Sequence, residues 1–350
     1  MTDPLLVRRS QLGPLQLLGN GGTALVYRAP RASLPGVAAV VYKEYKAPIR
    51  ASAGPSLLPG LRALVAFRQQ LDPALRPRWD ERIIWPLRVV VADHDPTAAV
   101  GVLMRLIPAR FFQRVVSRMT GAIGVKVREV DALFGDTADM ARIGYPTVDI
   151  RRRIALVGRI AEVYGVMHKQ NVVVGDISAR NVVYDVSTAS PTVIVLDADS
   201  CRIAGSAAAF GNQPQTPLWE PPEAVRASRQ LEQASRRGRR LSTSESMALL
   251  SLATGQSVQT DVYKFGLMVV RILDFGRRRA VNYDPTVAGR ILRQHTGVSG
   301  ENLLLRSLSD ERRDRPAIRE WHDLTHGGSM SGTSIRPVVY VRGRGWVRRP

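Results

Sequence analysis

Short apolar runs separated by turn residues fill the first hundred residues of the chain. Each run is rich in Val, Ile or Leu, and Gly, Pro and Asp lie between the runs, which is typical of strands joined by turns. The runs are PLQLLGN, ALVYRAP, VAAVVYKEYK, RIIWPLRVVVAD and AAVGVLMRLI. A helical repeat of leucines interrupts them over residues 56–72. The pattern predicts a small β-rich domain over residues 1–108.

Longer apolar repeats, with the period of an α-helix, follow the β-rich part. The first is VDIRRRIALVGRIAEVYGVMHKQ, and the second is TDVYKFGLMVVRILDF, for which Thr260 or Asp261 is the expected cap. They predict a larger, mainly helical domain over residues 109–325. Within it, the arginine-rich residues 226–246 are expected to form an exposed insertion. Residues 326–350 contain five arginines and no acid, and we expect a basic flexible tail there.

The composition is that of a soluble globular protein with a strong positive charge. The chain has 350 residues and a formal charge of +20, which favours polyanionic partners such as nucleic acid, nucleotides or acidic proteins. The arginine-rich insertion and the tail are the candidate surface for nucleic acid or an acidic partner. A single cysteine, Cys201, excludes an internal disulfide, and no apolar run is long enough for a transmembrane helix. Since the N-terminus lacks the pattern of a signal peptide, we expect a cytoplasmic protein.

An acid and an amide interrupt an apolar strand in the second half of the chain. In VVVGDISARNVVYD, the apolar run stops at Asp176 and resumes after Asn181. A second apolar run, TVIVL, ends at Asp197, and Asp199 follows two residues later. The oxygens of the amide and of the two later carboxylates suit Mg²⁺, and Asp176 is then free to orient a nucleophile or to accept its proton. The simpler interpretation of the first stretch is a turn with an aspartate cap.

Glycines and a lysine form a second group of candidate binding residues. In LGNGGTALVYRAP, Gly19, Gly21 and Gly22 lie in the turn between two predicted strands, where backbone N–H groups can approach phosphate oxygens closely. Asn-Gly-Gly is also a good hairpin turn. Lys43 lies within a predicted strand, where lysine is rare unless it meets an anion. The alternative is an edge-strand lysine that extends to water.

Taken in order, these motifs resemble those of a protein kinase-like domain. Three further motifs match downstream, namely TPLWEPPE with Glu223, DVYKFG with Asp261, and LSDERRDRPAIREW with Arg315. GDISARN and LDADS resemble a bacterial subgroup of this superfamily, some of whose members carry helix-hairpin-helix extensions. The resemblance covers residues 15–325 and implies an α+β, bilobal fold with a small β-rich N-lobe and a larger, mainly helical C-lobe.

The resemblance implies a role for each motif. Asp176 would be the catalytic base, Lys43 would bind the α- and β-phosphates of ATP, and Arg180 would neutralise charge on the γ-phosphate. The implied ATP-binding residues are Gly19, Asn20, Gly21, Gly22, Thr23, Val26, Lys43, Met104 and Leu106. The implied ligands of Mg²⁺, or of Mn²⁺ in its place, are Asn181, Asp197 and Asp199. The resemblance also implies that Asp261 holds the catalytic loop and that Arg315 pairs with Glu223.

The helix that supplies a glutamate to the strand lysine in kinases has no acid here. Asp72 is the only acidic residue between Tyr45 and Trp79. Gln69 or Gln70 is a candidate substitute, since a side-chain amide can accept a hydrogen bond from lysine. Glu81 would reach the lysine only if the helix ran unusually late.

A second departure lies directly before the candidate base, where Val174 and Gly175 replace the His-Arg pair of kinases. Without that arginine, a phosphorylated activation loop has no obvious site, so we expect that activity does not require such phosphorylation. The sequence favours an ATP- and Mg²⁺-dependent Ser/Thr protein kinase. The alternatives are a nucleotide-binding pseudokinase or scaffold with a basic surface, and a small-molecule kinase of the aminoglycoside-phosphotransferase type.

Overall fold

Helices and strands both contribute to the fold, which confirms the expected mixed class. The computed structural model describes residues 3–276, 282–325, 338–341 and 345–348, the last two ranges by their backbone alone. The strands are β1 (Leu6–Arg8), β2 (Gln16–Asn20), β3 (Ala24–Arg28), β4 (Val40–Tyr45), β5 (Arg88–Val91), β6 (Ala99–Arg105), β7 (Phe112–Val116), β8 (Ile123–Val127), β9 (Val172–Val173), β10 (Val182–Asp185), β11 (Thr192–Val195), β12 (Arg202–Ile203), β13 (Val338–Val341) and β14 (Gly345–Arg348). The helices are α1 (Ala47–Ala53), α2 (Leu57–Gln70), α3 (Arg76–Arg82), α4 (Thr137–Arg142), α5 (Ile150–Lys169), α6 (Pro222–Arg236), α7 (Thr243–Thr254), α8 (Val258–Leu273), α9 (Thr286–Ser307) and α10 (Arg319–Thr325).

The chain forms two units. The first comprises Met1–Ala109, Asn171–Val174 and Ile194–Pro214, and the second comprises Arg110–Gln170, Gly175–Val193 and Gln215–Pro350. The short segments 171–174 and 194–214, which the sequence assigns to the helical domain, belong to the first unit. Within the expected basic tail, β13 and β14 pair with each other, and the rest of the tail lies outside the described residues.

A six-stranded sheet forms the centre of the first unit. Its strand order is β1-β5-β6-β4-β3-β2, in which β1 is parallel to β5 and the other neighbours are antiparallel. One face buries a cluster that includes Leu12, Val40, Tyr42, Val90 and Leu103. The predicted strands correspond to β2 to β6. The predicted run RIIWPLRVVVAD begins six residues too early, because residues 82–87 precede β5 and do not belong to it. β1 is too short to give a periodic signal in the sequence.

Lys43 lies in the interior of this sheet, because β4 is hydrogen-bonded to β3 on one side and to β6 on the other. Its register partners are Val26 on β3 and Val102 on β6. The edge-strand interpretation of Lys43 is therefore wrong. Since side chains alternate along a strand, Lys43 and Tyr45 share one face of the sheet.

Residues 112–127 form an antiparallel hairpin, although the sequence predicts helical structure in this part of the chain. The register runs from Phe112 opposite Val127 to Val116 opposite Ile123. The hairpin is rich in β-branched residues, which favour strands, and Gly121 in its turn has a φ of 67°. Local strand preference therefore overrides the helical texture of the surrounding sequence.

The buried helix α8 is the core element of the second unit. Nearly all its residues from Thr260 onward are buried, and it packs against α5 and α9. The cap is Ser257, whose hydroxyl accepts the Thr260 N–H while the Thr260 hydroxyl accepts the Ser257 N–H. The predicted caps, Thr260 and Asp261, lie inside the first turn instead. None of the helices in the described ranges combines the length and the apolarity that a membrane span requires.

The arginine-rich insertion is helical at both ends. It contains most of α6 and the start of α7, with a turn between them in which Gly238 has a φ of 63°. Ser242 and Glu245 cap α7 through reciprocal hydrogen bonds. Exposed arginines, among them Arg229 and Arg240, give this helix pair a basic surface.

We expect Gly60→Ala to lower the free energy of unfolding by about 1–3 kcal/mol, because the added methyl group overpacks the contact between α2 and Ala209. A methyl group at Gly60 would lie 2.6 Å from the backbone nitrogen of Ala209, within the same unit. Helix propensity acts in the opposite direction and favours alanine by roughly 0.8–1 kcal/mol. Thermal denaturation followed by circular dichroism measures the net effect.

Gly124→Ala on β8 is the matched control, since no atom lies within 4 Å of the added methyl group. Its melting temperature should differ little from that of the unmodified chain. A melting temperature of Gly60→Ala that stays the same or rises would contradict the close packing of α2 against residue 209.

Candidate active site

Gly175, which precedes the candidate base, is held by two side chains of α8. Its φ of 76° lies in the left-handed region, which favours glycine. Its N–H donates to Asp261 Oδ1 at 2.9 Å, and its carbonyl accepts from Lys264 Nζ at 2.6 Å. Both backbone polar groups of Gly175 are therefore satisfied by one helix. The predicted role of Asp261 in holding this loop is confirmed.

Lys264 is fully buried, and it is not among the residues predicted from the sequence. Its second acceptor is Gln256 Oε1 at 2.9 Å. Burial lowers the pKa of Lys264, and the charges of Asp261 and Asp176 oppose this effect in part. The second oxygen of Asp261 lies 3.0 Å from His168 Nε2. A lysine in the middle of an apolar helix is the sequence signal that points to such a role.

The carboxylate of Asp176 is oriented at both of its oxygens. Oδ1 accepts the Thr216 N–H at 3.0 Å and the Thr216 hydroxyl at 2.6 Å. Oδ2 accepts from Asn181 Nδ2 at 3.1 Å, and the same nitrogen donates to the Asp176 carbonyl at 2.8 Å. A simple turn with an aspartate cap does not describe this arrangement, because a side chain 40 residues away completes it. Thr216 is a site residue that the sequence pattern alone does not identify.

Two polar groups beside Asp176 stay open toward a ligand. Asn181 uses its amide nitrogen, and within the described residues its Oδ1 accepts no hydrogen bond. Arg180 is exposed on the 3-10 turn Ala179–Asn181 and has no ion pair in the described part of the chain. The turn therefore presents one neutral oxygen and one positive charge next to the candidate base.

In the first unit, Lys43 is paired with both candidate metal-binding aspartates. Its Nζ lies 3.0 Å from Asp197 Oδ1 and 2.8 Å from Asp199 Oδ1. The hydroxyl of Tyr45 donates to Asp199 Oδ2 at 2.7 Å. Burial by itself lowers the pKa of Lys43, but Asp199 and Asp197 outweigh it, so the pKa is raised. Burial and the charge of Asp199 raise the pKa of Tyr45 well above its ordinary value.

Asp197 has a backbone conformation that is uncommon for a residue with a side chain. Its φ of 52° and ψ of 32° are left-handed, and such outliers concentrate at functional sites. The Ser200 hydroxyl donates to its carbonyl at 2.8 Å. Gln213 Nε2 in turn donates to the carbonyls of Ser200 and Val173. These contacts hold the segment after β11 in a fixed conformation.

In the glycine-rich loop, neither a left-handed backbone nor a close protein contact explains Gly19 and Gly22. Gly19, Gly21 and Gly22 have no left-handed φ, and nothing lies within 4 Å of a methyl group added at Gly19 or Gly22. The room they leave is thus available to a ligand, which is what a phosphate needs to approach backbone N–H groups. The neighbouring predicted contacts differ in exposure: Asn20 and Thr23 are exposed, and Val26 is half-buried.

The predicted hinge residues lie at the end of β6. Met104 is buried and pairs in register with Val41. Leu106 is half-buried, and its N–H donates to the carbonyl of Ala39 at 3.1 Å. That N–H is therefore engaged within the protein and is not a free donor for an adenine ring.

The residues fit a Mg²⁺ ion that is held mainly by phosphate and water. Among the described residues, no group of three or more His, Cys, Asp or Glu side chains is arranged for a metal. Mg²⁺ in nucleotide sites commonly needs only one or two protein ligands. Asp197 in the first unit, with its side chain 51% exposed, is by itself a suitable ligand of this kind, and so is the open oxygen of Asn181 in the second unit. Asp199 fits poorly, since Lys43 and Tyr45 engage both of its oxygens.

A buried ion pair joins the start of α6 to the segment after α9. Arg315 donates to both oxygens of Glu223, at 2.9 and 2.6 Å, and Arg312 Nε donates to Oε1 at 2.8 Å. The predicted pairing of Arg315 with Glu223 is thus confirmed. Burial by itself raises the pKa of Glu223, but the hydrogen bonds and charge of the two arginines outweigh it, so the pKa is lowered.

Comparison with known proteins adds no assignment to these clusters. No model of a known protein family matches the chain, and no curated protein is significantly similar to it. Any function therefore has to be inferred from the chemistry of the residues themselves.

Arg315→Met should lower the free energy of unfolding by about 3 kcal/mol, because it leaves Glu223 buried without its bidentate partner while Arg312 keeps one contact. Urea denaturation measures the loss. The double variant Glu223→Gln/Arg315→Met should regain a large part of it, since no unpaired charge then remains. A double variant that is no more stable than Arg315→Met would contradict this account.

The ion pair of Glu223 with Arg315 predicts that the stability of the fold depends on pH. The pKa of Glu223 is lower in the folded chain than its ordinary value of 4.5, so the contribution of the pair is complete above that pH and falls as the pH drops through the folded-state pKa. The difference in melting temperature between the unmodified chain and Glu223→Gln should therefore shrink on acidification. A difference that stays constant from about pH 7 to about pH 3 would contradict it.

Proposed function

We propose that this chain is an ATP- and Mg²⁺-dependent protein kinase that transfers the γ-phosphate of ATP to a Ser or Thr hydroxyl of a protein. The proposal includes the bilobal kinase-like fold, with the six-stranded sheet as the small lobe. The observation that carries it is the contact of Lys43 with Asp197, residues that are 154 positions apart. A purely structural lysine gains little from a partner that is half exposed and held in a strained conformation.

Asp176 is the catalytic base in this proposal. A base must lie within hydrogen-bond distance of the hydroxyl whose proton it accepts. The Thr216 hydroxyl, 2.6 Å from Asp176 Oδ1, shows that this carboxylate can hold a hydroxyl at that distance. Asn181 and the Thr216 N–H fix the plane of the carboxylate. A substrate hydroxyl that approaches Oδ1 would replace the Thr216 hydroxyl. Its oxygen would attack the γ-phosphorus and its proton would pass to Asp176, while the bond from the γ-phosphorus to the bridging β-phosphate oxygen breaks and ADP leaves.

Two positively charged side chains and the open glycine turn bind the phosphates of ATP in this proposal. Lys43 binds the α- and β-phosphates, and the exposed Arg180 lowers the charge that develops on the γ-phosphate. The open glycines of the β2–β3 turn let backbone N–H groups approach the phosphate oxygens. Asp197 and Asn181 are each a candidate ligand of Mg²⁺, which would neutralise phosphate charge when bound, and Mn²⁺ suits the same kind of oxygen ligand.

Activity without phosphorylation of the activation loop is part of the proposal. Gly175 replaces the arginine that would bind a phosphorylated loop, and its backbone is held by Asp261 and Lys264 instead. The loop conformation thus depends on two buried side chains and requires no added phosphate.

A nucleotide-binding pseudokinase or scaffold is the second candidate function. The observation that favours it is the occupation of Lys43 by two carboxylates, which compete with phosphate for the same cation. The exposed arginines of α6 and the following turn would then contact nucleic acid or an acidic partner, with an affinity that falls steeply with salt. The small-molecule kinase alternative is less favoured, because that branch generally lacks a pair such as Glu223–Arg315. The cytoplasmic location expected from the sequence stays a prediction.

Asp176→Asn and Lys43→Met are each expected to lower phosphoryl transfer by about 10²-fold or more, since each removes a group that acts on the reacting atoms. The measurement is Mg²⁺-dependent transfer from γ-labelled ATP to a generic protein acceptor, with ATP binding followed in parallel. Asp323→Asn is the control, because this carboxylate is 54% exposed on α10.

The outcome separates the two candidate functions. If Asp176→Asn and Lys43→Met both abolish phosphoryl transfer and Asp323→Asn retains it, the result supports the kinase. ATP binding without transfer, in every acceptor and metal condition tested, would favour the pseudokinase.

Gly22→Ala should weaken ATP binding by about tenfold, or ~1.4 kcal/mol, while the melting temperature stays unchanged. The added methyl group meets no protein atom within 4 Å, so any effect has to arise from the ligand. Gly124→Ala, which is equally open but lies on β8, controls for glycine replacement as such. An unchanged affinity for ATP would show that the open space at Gly22 does not serve phosphate.

A further inference from the structure

In the part of the chain that the structure describes, the strand lysine has no carboxylate partner on an α-helix. α1 and α2 contain no acidic residue, and the candidate substitutes Gln69 and Gln70 are exposed at the end of α2. Glu81 on α3 is exposed as well. Within the described residues, the acidic partners of Lys43 are Asp197 and Asp199 alone. The function of the missing helix glutamate therefore has to be sought in these two residues.

The two aspartates differ in a way that separates their roles. The side chain of Asp199 is 1% exposed, and its two oxygens accept from Lys43 and Tyr45. The side chain of Asp197 is 51% exposed, and only its Oδ1 is hydrogen-bonded to Lys43. Asp197 can thus turn to a metal ion without leaving a buried acceptor unpaired. Asp199 cannot leave Lys43 without that cost.

Tyr45 fixes which oxygen of Asp199 meets the lysine. It lies two residues after Lys43 on β4, so both side chains project from the same face of the sheet. Its hydroxyl engages Oδ2 at 2.7 Å and leaves Oδ1 for Lys43 at 2.8 Å. The Tyr45 ring is itself buried and packs edge-on against Phe210, with centroids 5.2 Å apart. The carboxylate is therefore held in one orientation by a rigid neighbour.

We propose that Asp199 is the residue that positions Lys43 for the nucleotide, in place of a helix carboxylate, and that Tyr45 orients it. This inference rests on the proposed function, because it assigns Lys43 to the phosphates of ATP. Asp199 remains on Lys43 throughout, whereas Asp197 leaves Lys43 for the metal when Mg·ATP binds. Asp199 is thus a positioning residue and not a third metal ligand.

The location of Asp199 also determines which segment fixes the position of the Lys43 side chain. It lies in the 3-10 turn Ala198–Ser200, directly after Asp197, and Gln213 anchors that turn through the Ser200 carbonyl. The metal ligand and the partner of the lysine are therefore fixed by one short segment. A movement of α2 does not make or break the ion pair of Lys43.

A double-mutant cycle tests this role. The dissociation constant of Mg·ATP is measured for the unmodified chain, Lys43→Met, Asp199→Asn and the double variant. If Asp199 acts through Lys43, Asp199→Asn weakens Mg·ATP binding by about tenfold in the unmodified chain and by less than about twofold in the Lys43→Met background. Equal losses in both backgrounds would overturn the role, since a merely structural effect does not depend on Lys43.

Tyr45→Phe is a milder second variant, in case Asp199→Asn fails to fold. It removes one hydrogen bond and keeps the ring, so we expect a loss of about threefold in Mg·ATP affinity that also disappears in the Lys43→Met background. An equal loss in both backgrounds would count against the positioning role.

A titration with Mg²⁺ separates positioning from metal binding. At a fixed ATP concentration, Asp197→Asn should raise the Mg²⁺ concentration that gives half-maximal ATP binding by about tenfold or more. Asp199→Asn should leave it within about twofold, and a large rise would overturn the assignment. An unmodified chain that binds no Mg·ATP would overturn the proposed function, and with it this role. If the unmodified chain binds Mg·ATP but the effects of Lys43→Met and Asp199→Asn simply add, only the role of Asp199 is overturned.

Discussion

The hydrogen bonds between α8 and Gly175 are the constraint on which the candidate catalytic loop depends. Asp261 and Lys264 lie three residues apart on one face of a buried helix, so they reach the N–H and the carbonyl of the same residue. Each of these charges would be costly in the core if it were alone, and each is stabilised by polar groups that it helps to order. Asp176 follows Gly175 directly, so the hydrogen bonds from Asp261 and Lys264 to Gly175 also fix the backbone position of Asp176. Thr216 and Asn181 then set only the direction of the carboxylate.

Under the proposed function, the charges of the cluster around Lys43 would suit a metal-bound nucleotide. One lysine and two aspartates leave one negative charge in excess, and Asp197 contributes its charge at a half-exposed side chain. A nucleotide alone would be repelled by that excess, whereas a divalent cation reverses it. The proposed site would therefore favour the metal complex over the free nucleotide. The same excess stabilises the buried lysine when no ligand is bound.

The sequence predicts the elements well where periodicity is strong, and the contacts only where a motif fixes them. The strands β2 to β6 and the helices α2, α5 and α8 follow from their apolar patterns. The contacts of Asp261 and Arg315 follow from the order of the motifs. The strand β1 escapes prediction because three residues carry no period, and the hairpin at residues 112–127 escapes it because its valines lie within a helical context.

Pairings between distant residues account for the rest of what the sequence does not reveal. Asp199 and Lys43 are 156 positions apart, and Thr216 and Asp176 are 40 apart. No local preference encodes such contacts, since they depend on how whole elements pack. Once Lys43 is known to be buried, however, it must have polar or charged partners, and two aspartates separated by one residue are then informative. The combination of Asp197 and Asp199 within three residues also has an evolutionary consequence. Under the proposed roles, selection on the partner of the lysine and on the metal ligand acts on a single tripeptide, so α2 need not retain a carboxylate for Lys43.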